Sequence, residues 1–178
     1  NMGGKSVLLK TLALSQILCH FTLGIPSERA KIMLFDSVSL LTGDDQNTKT
    51  GYSSFSSEII RINDTICRLK KGERLLALID EPARSTNPAE GSALAESLIN
   101  ILSEIGTVSV VTTHYSVSTE RCRRKRVKGI IDNKMDYSLV DEQGYEVPKE
   151  AINIARVLGA DNEWIENAEK IFNERKHI

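Results

Sequence analysis

Hydrophobic and polar positions follow two different periods along this chain, and the periods predict helices that alternate with strands. Three long segments have apolar side chains at the three- and four-residue spacing of a helix that is buried on one face: Ser6–Cys19, Phe55–Leu69 and Ala89–Ile105. Three short apolar runs lie between polar residues and predict strands: Lys31–Asp36, Leu75–Asp80 and Val108–Thr113. We therefore expect an α/β fold in which helices cover both faces of a mostly parallel sheet.

The pattern changes after residue 115. Asp136–Val147 predicts a strand with a turn at Gly144. Two helical segments follow it, Lys149–Leu158 and Asn162–Lys176, separated by the sequence GAD. We therefore predict a main domain at residues 1–147 and a C-terminal helical hairpin at residues 148–178.

The composition is that of an ordinary globular protein. The 178 residues are 40% hydrophobic and 26% charged, and the net charge of −1 gives no sign of a nucleic-acid partner. No apolar run reaches the ~18 residues of a membrane-spanning helix. The three widely spaced cysteines form no C-x-x-C pair, which favours reduced thiols that fill the core of a cytoplasmic protein. Because the first residue is Asn rather than Met, we interpret the chain as a domain of a longer protein.

The first six residues, NMGGKS, contain the end of a phosphate-binding loop. Gly4, Lys5 and Ser6 match the last three fixed positions of G-x-x-x-x-G-K-[ST], and a helix follows as the pattern requires. Backbone N–H groups at a helix N-terminus attract phosphate, Lys5 would reach the β- and γ-phosphates, and the Ser6 hydroxyl would ligate Mg²⁺. The alternative is a chance glycine turn, since the leading glycine of the pattern would precede Asn1. The complete predicted phosphate-binding set is Asn1, Met2, Gly3, Gly4, Lys5 and Ser6.

An acid pair follows the most apolar predicted strand. Asp80 and Glu81 come at the end of LLALIDE, and ligands of open α/β sheets bind at the carboxyl ends of strands. Asp80 is a candidate Mg²⁺ ligand, and Glu81 is a candidate general base that orients the attacking water. The alternative is that the pair caps a helix.

A histidine follows the third predicted strand. His114, in VVTTHY, comes just after this strand ends, so it would lie on the same edge of the sheet as Glu81. There it could donate a hydrogen bond to the γ-phosphate. The alternative is a partly buried structural histidine. Together the loop, the acid pair and His114 predict an enzyme that hydrolyses ATP with Mg²⁺.

These segments together resemble the ATPase domain of the MutS family, which is related to the ABC-type ATPases. The resemblance covers nearly the whole chain and lies in NMGGKS, GYSSFSSEI, LLALIDEPARSTNPAEGSALA, VVTTHY and AINIARVLGADNEWIENAEKIF. It implies an ABC-type P-loop NTPase fold at residues 1–147, truncated at its N-terminus. It also implies that the C-terminal helices serve dimerisation. The interface residues it predicts are Ala151, Ile154, Leu158 and Trp164.

The resemblance further implies composite ATP sites. In such ATPases a serine-rich loop of one subunit closes on the nucleotide of the other, so Ser53 and Ser54 would act on the partner's ATP. The polar stretch Leu41–Ser54 predicts a long loop there, and a simple surface loop is the alternative. Pro82 and Ala83 depart from the family pattern, which puts the geometry of this turn in doubt because proline fixes φ and lacks an N–H donor.

Three functions remain open from the sequence. The first is an ATPase in DNA mismatch repair or recombination control, with mismatched DNA bound by domains outside this chain. The second is a chaperone-like reactivase of a cobalamin-dependent aminomutase, because DEPARSTNPAEG also resembles that subgroup of MutS-related ATPases. The third is an ATP-dependent dimerisation module that does not hydrolyse. The basic run Arg121–Lys128 could contact DNA phosphates, although a solvated face or a contact with another domain explains it equally.

Overall fold

The computed structural model describes residues 4–43, 54–131, 134–141 and 150–175. The chain divides into two compact units, Asn1–Arg123 and Arg124–Ile178. The predicted boundary between residues 147 and 148 lies outside the described residues, and so does the predicted turn at Gly144.

The first unit is an α/β layer structure. Its described helices are α1 (Lys5–His20), α2 (Ser54–Lys70) and α3 (Pro88–Ile105), and its described strands are β1 (Ser37–Leu41), β2 (Leu75–Asp80) and β3 (Ser109–Thr112). The strands form a parallel sheet in the order β1-β2-β3. This confirms the predicted α/β class with helices flanking a parallel sheet, and it confirms the three predicted helices and the second and third strands.

Strand β2 lies at the centre of the core because both of its faces are covered. Leu75, Ala77 and Ile79 pack in one cluster with side chains of α2 and α3. Leu76 and Leu78 point to the other face and pack with side chains of α1. Burying one such leucine contributes about 1.5–3 kcal/mol, so a strand whose first five residues are apolar is anchored on both sides.

The first predicted strand is wrong in its position. The structure has no strand at Lys31–Asp36, and β1 begins at Ser37 instead. With its side-chain amide turned so that both groups are satisfied, the buried Gln16 bonds the backbone of this segment, donating to Met33 O at 3.1 Å and accepting from Phe35 N at 3.0 Å. These backbone groups are therefore satisfied by a side chain rather than by a neighbouring strand.

Helix α3 begins and ends where its capping residues require. The Asn87 side chain accepts a hydrogen bond from Glu90 N at 3.0 Å, and Pro88 occupies the first turn. Gly106 ends the helix in the left-handed conformation, with φ of 74°. These two signals fix the helix that follows the acid pair.

The second unit contains an antiparallel pair of strands, β4 (Lys125–Ile131) and β5 (Lys134–Asp141). The basic run Arg121–Lys128 therefore lies partly on β4, a strand that the sequence pattern did not predict. Two of its lysines form ion pairs across the ladder, Lys125 with Asp141 at 2.6 Å and Lys128 with Asp136 at 3.3 Å. Part of the positive charge is thus balanced within the unit, which favours the solvated-face interpretation of this run.

Two helices complete the second unit, α4 (Glu150–Val157) and α5 (Asn162–Arg175). They confirm the two predicted helical segments, and an ion pair joins Arg156 to Glu169 at 3.0 Å. Their role as a dimerisation hairpin stays a prediction. In the described ranges no helix is long and apolar enough to cross a membrane.

The cysteines do not fill the core, contrary to expectation. Cys67 and Cys122 are exposed, Cys19 is partly buried, and all three are free thiols. The spacing of the cysteines in the sequence does not show how exposed they are. Cys67 lies on the outer face of α2, and Cys122 lies in the segment that precedes β4.

Candidate functional site

The candidate site lies where the parallel strands of the first unit end. Asp80 is the last residue of β2, and Thr112, the last residue of β3, is its partner in the ladder. The Thr112 hydroxyl donates to Asp80 Oδ1 at 2.5 Å, and the next backbone group, Glu81 N, donates to Thr112 O at 3.0 Å. These bonds hold the acid pair against the end of β3, which leads to His114.

Three of the predicted residues meet at this edge although they are far apart in the sequence. Lys5 Nζ lies 3.1 Å from His114 Nδ1. The other ring nitrogen, His114 Nε2, lies 2.5 Å from Glu81 Oε1. The histidine therefore stands between the lysine of the predicted phosphate loop and the predicted general base.

Glu81 is a buried carboxylate whose two oxygens differ in their surroundings. Its side chain is 8% exposed, whereas the His114 side chain is 67% exposed. Oε2 accepts a hydrogen bond from Arg84 Nη1 at 3.2 Å. Oε1 lies against His114 Nε2, and no other described residue donates a hydrogen bond to it.

This arrangement suits a general base. Leaving a buried carboxylate oxygen without a hydrogen bond is costly, so such atoms are rare unless a ligand or water completes them. Oε1 of Glu81 would become an acceptor for a water molecule once His114 turned away from it, and the Arg84 guanidinium offsets part of the cost of burying the negative charge.

The start of α1 shows why a glycine precedes the lysine. Gly4 is the N-cap of α1 and has φ of 65°, a left-handed conformation that glycine adopts without strain. No side chain caps this end, and an uncapped helix N-terminus attracts anions such as phosphate. Lys5 is partly buried and Ser6 is buried. The other predicted phosphate-binding residues, Asn1, Met2 and Gly3, lie outside the described residues.

The turn after the acid pair has an unusual backbone. Glu81 and Ala83 have φ of 49° and 60°, and Pro82 between them is fully buried. Left-handed conformations cost non-glycine residues about 1–2 kcal/mol each. Two side chains hold the turn: Ala83 N donates to Glu58 Oε1 at 2.8 Å, and the Tyr115 hydroxyl donates to Ala83 O at 2.9 Å. The turn therefore accommodates both residues that depart from the family pattern.

Sequence reasoning assigned no role to the residues that hold this turn. Glu58, Gly91 and Tyr115 all stand inside the segments that carry the resemblance, but none matched a chemical pattern. Their contacts are with backbone atoms 25 and 32 residues away, or with each other, and no local spacing reports such contacts. Their position inside the matching segments was the one available signal.

The donor set at the strand ends fits a magnesium ion that arrives with phosphates. Among the described residues no group of three His, Cys, Asp or Glu side chains could hold a metal by itself. Mg²⁺ in nucleotide sites typically takes only one or two protein oxygens, and phosphates and water supply the rest. Asp80 offers a carboxylate whose orientation is fixed by Thr112, and Ser6 offers a hydroxyl in the first turn of α1.

The remaining predicted residues lie outside the described residues, at the start of α2 or in the second unit. Ser53 is not described, and Ser54 is exposed as the first residue of α2. In the second unit Leu158 is 75% exposed and Trp164 is 66% exposed, Ala151 is exposed, and Ile154 is partly buried. The roles of these residues in dimerisation and in the partner's nucleotide site stay predictions.

Comparison with known proteins decides the family. The family model of MutS domain V matches residues 1–175. The chain belongs to the MutS domain V family. Two relatives are proteins called Endonuclease MutS2, one from Alkaliphilus oremlandii and one from Caldanaerobacter subterraneus. The first is 35% identical and aligns with 96% of this chain and 22% of the relative. The second is 32% identical and aligns with 94% of this chain and 22% of the relative.

A third relative matches a shorter part of this MutS domain V chain more closely. Endonuclease MutS2 of Thermomicrobium roseum is 38% identical over 116 residues, which is 65% of this chain and 14% of the relative. The chain spans about a fifth of the length of the first two relatives. The match to MutS domain V confirms the family resemblance drawn from the sequence motifs.

Proposed function

We propose that this chain is an ATPase domain that binds ATP at the carboxyl edge of its sheet and hydrolyses it to ADP and phosphate. The observation that supports this most strongly is the contact chain Lys5–His114–Glu81, which joins the phosphate loop to the base. Three residues predicted separately from three motifs would not meet by chance at one sheet edge. Membership of the MutS domain V family supports the same conclusion.

Each of these residues has a separate role in the proposed hydrolysis. The helix N-terminus at Gly4 and the Lys5 ammonium bind the phosphates, with Asn1, Met2 and Gly3 completing the loop. Glu81 accepts a hydrogen bond from the attacking water through Oε1 and aligns it with the γ-phosphorus. His114, which lies within reach of both Lys5 and Glu81, donates to the γ-phosphate once ATP separates the two side chains.

Mg²⁺ neutralises phosphate charge in such sites. We propose that Ser6 and Asp80 hold it, since one hydroxyl and one oriented carboxylate are the protein oxygens that a phosphate-bound Mg²⁺ needs. Asp80 takes no part in proton transfer in this proposal. Its bond to Thr112 keeps it at the strand end, next to the base rather than in its place.

Dimerisation would complete the site. Ser54 begins α2, and we propose that it and the preceding Ser53 reach the nucleotide of a second copy. Exposed apolar side chains at Leu158 and Trp164 support a dimer contact through the C-terminal helices, together with Ala151 and Ile154. ATP binding and hydrolysis would then change how the two copies contact each other.

The wider role that fits best is in DNA mismatch repair or recombination control in the cytoplasm. The MutS2 name of the relatives supports this choice over a reactivase of a cobalamin-dependent aminomutase. DNA would be bound by domains outside this chain, because the net charge is −1 and the lysines of the basic strand are partly paired.

Replacing Lys5 tests the phosphate site. We expect Lys5→Ala in the full-length protein to weaken ATP binding roughly 10- to 100-fold, because a charge-assisted contact is worth about 1.5–3 kcal/mol. Lys10→Ala is the matched control, since Lys10 is an exposed lysine on the same helix. Fluorescent-nucleotide titration measures both. Equal ATP affinity in the two variants would contradict the proposed site.

A further inference from the structure

The peptide groups of Ala83 are held on both sides by side chains. Ala83 N donates to Glu58 Oε1 at 2.8 Å, and Ala83 O accepts from the Tyr115 hydroxyl at 2.9 Å. Glu58 lies on α2, and Tyr115 follows β3. The turn that begins at Glu81 is thus fastened to a helix on one side and to the strand-end segment on the other.

The turn needs such fastening because its backbone is strained. Glu81 and Ala83 both have left-handed φ angles, which the chain would leave if nothing opposed it. The backbone of Glu81 sets the direction of its side chain. A relaxed turn would therefore move Oε1 away from the position where it meets His114.

The absence of a side chain at Gly91 leaves room for the Tyr115 ring and hydroxyl. A Cβ at residue 91 would lie 2.3 Å from the Tyr115 hydroxyl oxygen and 3.1 Å from Ala83 O. Gly91 is in the first turns of α3 and is buried. Tyr115 can reach Ala83 because Gly91 has no side chain. The close approach of Tyr115 to Ala83 therefore depends on α3 as well.

We propose that Glu58 and Tyr115 are positioning residues, which hold the Ala83 peptide groups and thereby keep the Glu81 carboxylate aimed for hydrolysis. The inference rests on the proposed ATPase function. It assigns no contact with ATP to either residue. Because α2 begins at Ser54, the Glu58 bond also ties the hydrolysis turn to the helix whose first residue is predicted to face the partner's nucleotide.

The test separates turnover from binding in the full-length protein. Tyr115→Phe keeps the ring but loses the donor, and Glu58→Ala loses the acceptor. We expect both to lower kcat roughly 10- to 100-fold, with the KM and Kd for ATP unchanged within about twofold, as for a displaced catalytic group. Glu58→Gln retains an oxygen that accepts from Ala83 N, so it should restore most of the kcat lost in Glu58→Ala.

A control shows that lost stability alone does not lower kcat. Glu73→Ala removes a carboxylate just before β2 begins, at the opposite end of the strand from Asp80, where it bonds Arg68 and Ser37. We expect this variant to lower the melting temperature while leaving kcat unchanged. Wild-type kcat in Tyr115→Phe and Glu58→Ala, or a fall in ATP affinity as large as the fall in kcat, would overturn the positioning role.

Glu81→Gln, measured alongside, distinguishes a failure of the proposed ATPase function from a failure of the positioning inference alone. If Glu81→Gln hydrolyses ATP at the wild-type rate, the proposed function itself is wrong. If Glu81→Gln is inactive while the Tyr115 and Glu58 variants turn over normally, only the positioning inference fails. If all three lose turnover and keep ATP binding, both are supported.

Discussion

At the scale of the residue, the site depends on one buried carboxylate between a histidine and an arginine side chain. Glu81 lies between His114 and Arg84, with one carboxylate oxygen against each of these side chains. Burying a carboxylate is unfavourable unless it is paired, so the neighbouring side chains make the position tenable.

Replacing Ala83 by glycine tests the strain in the turn. Both bonds to this residue use its backbone, so Ala83→Gly keeps the Glu58 and Tyr115 contacts while removing the left-handed penalty. The relief of about 1 kcal/mol offsets the similar entropic cost of glycine in the unfolded chain. We expect a melting temperature within a few degrees of wild type.

Calorimetry measures this outcome, with Ala95→Gly as the control. Ala95 is fully buried in the middle of α3, where glycine relieves no strain and costs about 1 kcal/mol in helix propensity together with the lost methyl packing. An Ala83→Gly variant that is destabilised as much as Ala95→Gly would contradict the strained turn.

The sequence predicted the residues that meet at the strand ends and missed those that hold the turn after the acid pair. Lys5, Asp80, Glu81 and His114 could be foreseen because each stands directly after a glycine or at a strand end. Tyr115 could not, because its role depends on reaching the backbone of a residue 32 positions earlier. Such contacts exist only once the chain has folded.

At the scale of the element, periodicity located the long helices and the apolar strands well. It failed at β1, whose sequence SVSLL contains two serines and does not resemble a buried strand. The structure explains them: the Ser39 hydroxyl is buried and lies 2.9 Å from the Thr65 hydroxyl on α2. Periodicity also failed at β4, because its lysine and arginine residues do not resemble a strand. In the structure part of this charge is paired across the ladder.

The junction between α2 and the sheet gives a prediction about pH. The Arg68 guanidinium and the Ser37 hydroxyl both bond the Glu73 carboxylate and lower its pKa to about 2, from an ordinary value of 4.5. A carboxyl whose pKa falls on folding stabilises the protein fully above its unfolded pKa, and this contribution is lost as pH falls toward the folded pKa.

Denaturant unfolding of wild type and Glu73→Gln from pH 7 to pH 2 tests this junction. We expect the wild type to be the more stable above about pH 4.5, and the difference to shrink steadily below that pH. Because the carboxylate is partly exposed, the difference should also decrease at high salt. A stability difference that stays constant down to pH 2 would show that the ion pair is not responsible.

At the scale of the whole molecule, the chain is one part of a larger machine in this account. It spans about a fifth of the MutS2 relatives, and its two units divide nucleotide chemistry from the helices proposed to bind a second copy. The proposed nucleotide site lies in the first unit, and the central claim of the proposal is that Glu81 is its general base.

The most direct test of that claim is the steady-state rate of ATP hydrolysis by the full-length protein and its Glu81→Gln variant, with ATP binding measured in the same preparations. The account predicts that the variant binds ATP as tightly as wild type and that its kcat falls roughly 10²- to 10⁴-fold, as for a lost general base. A Glu81→Gln variant that hydrolyses ATP at the wild-type rate would contradict it, and a wild type that binds ATP without hydrolysing it would favour the dimerisation module.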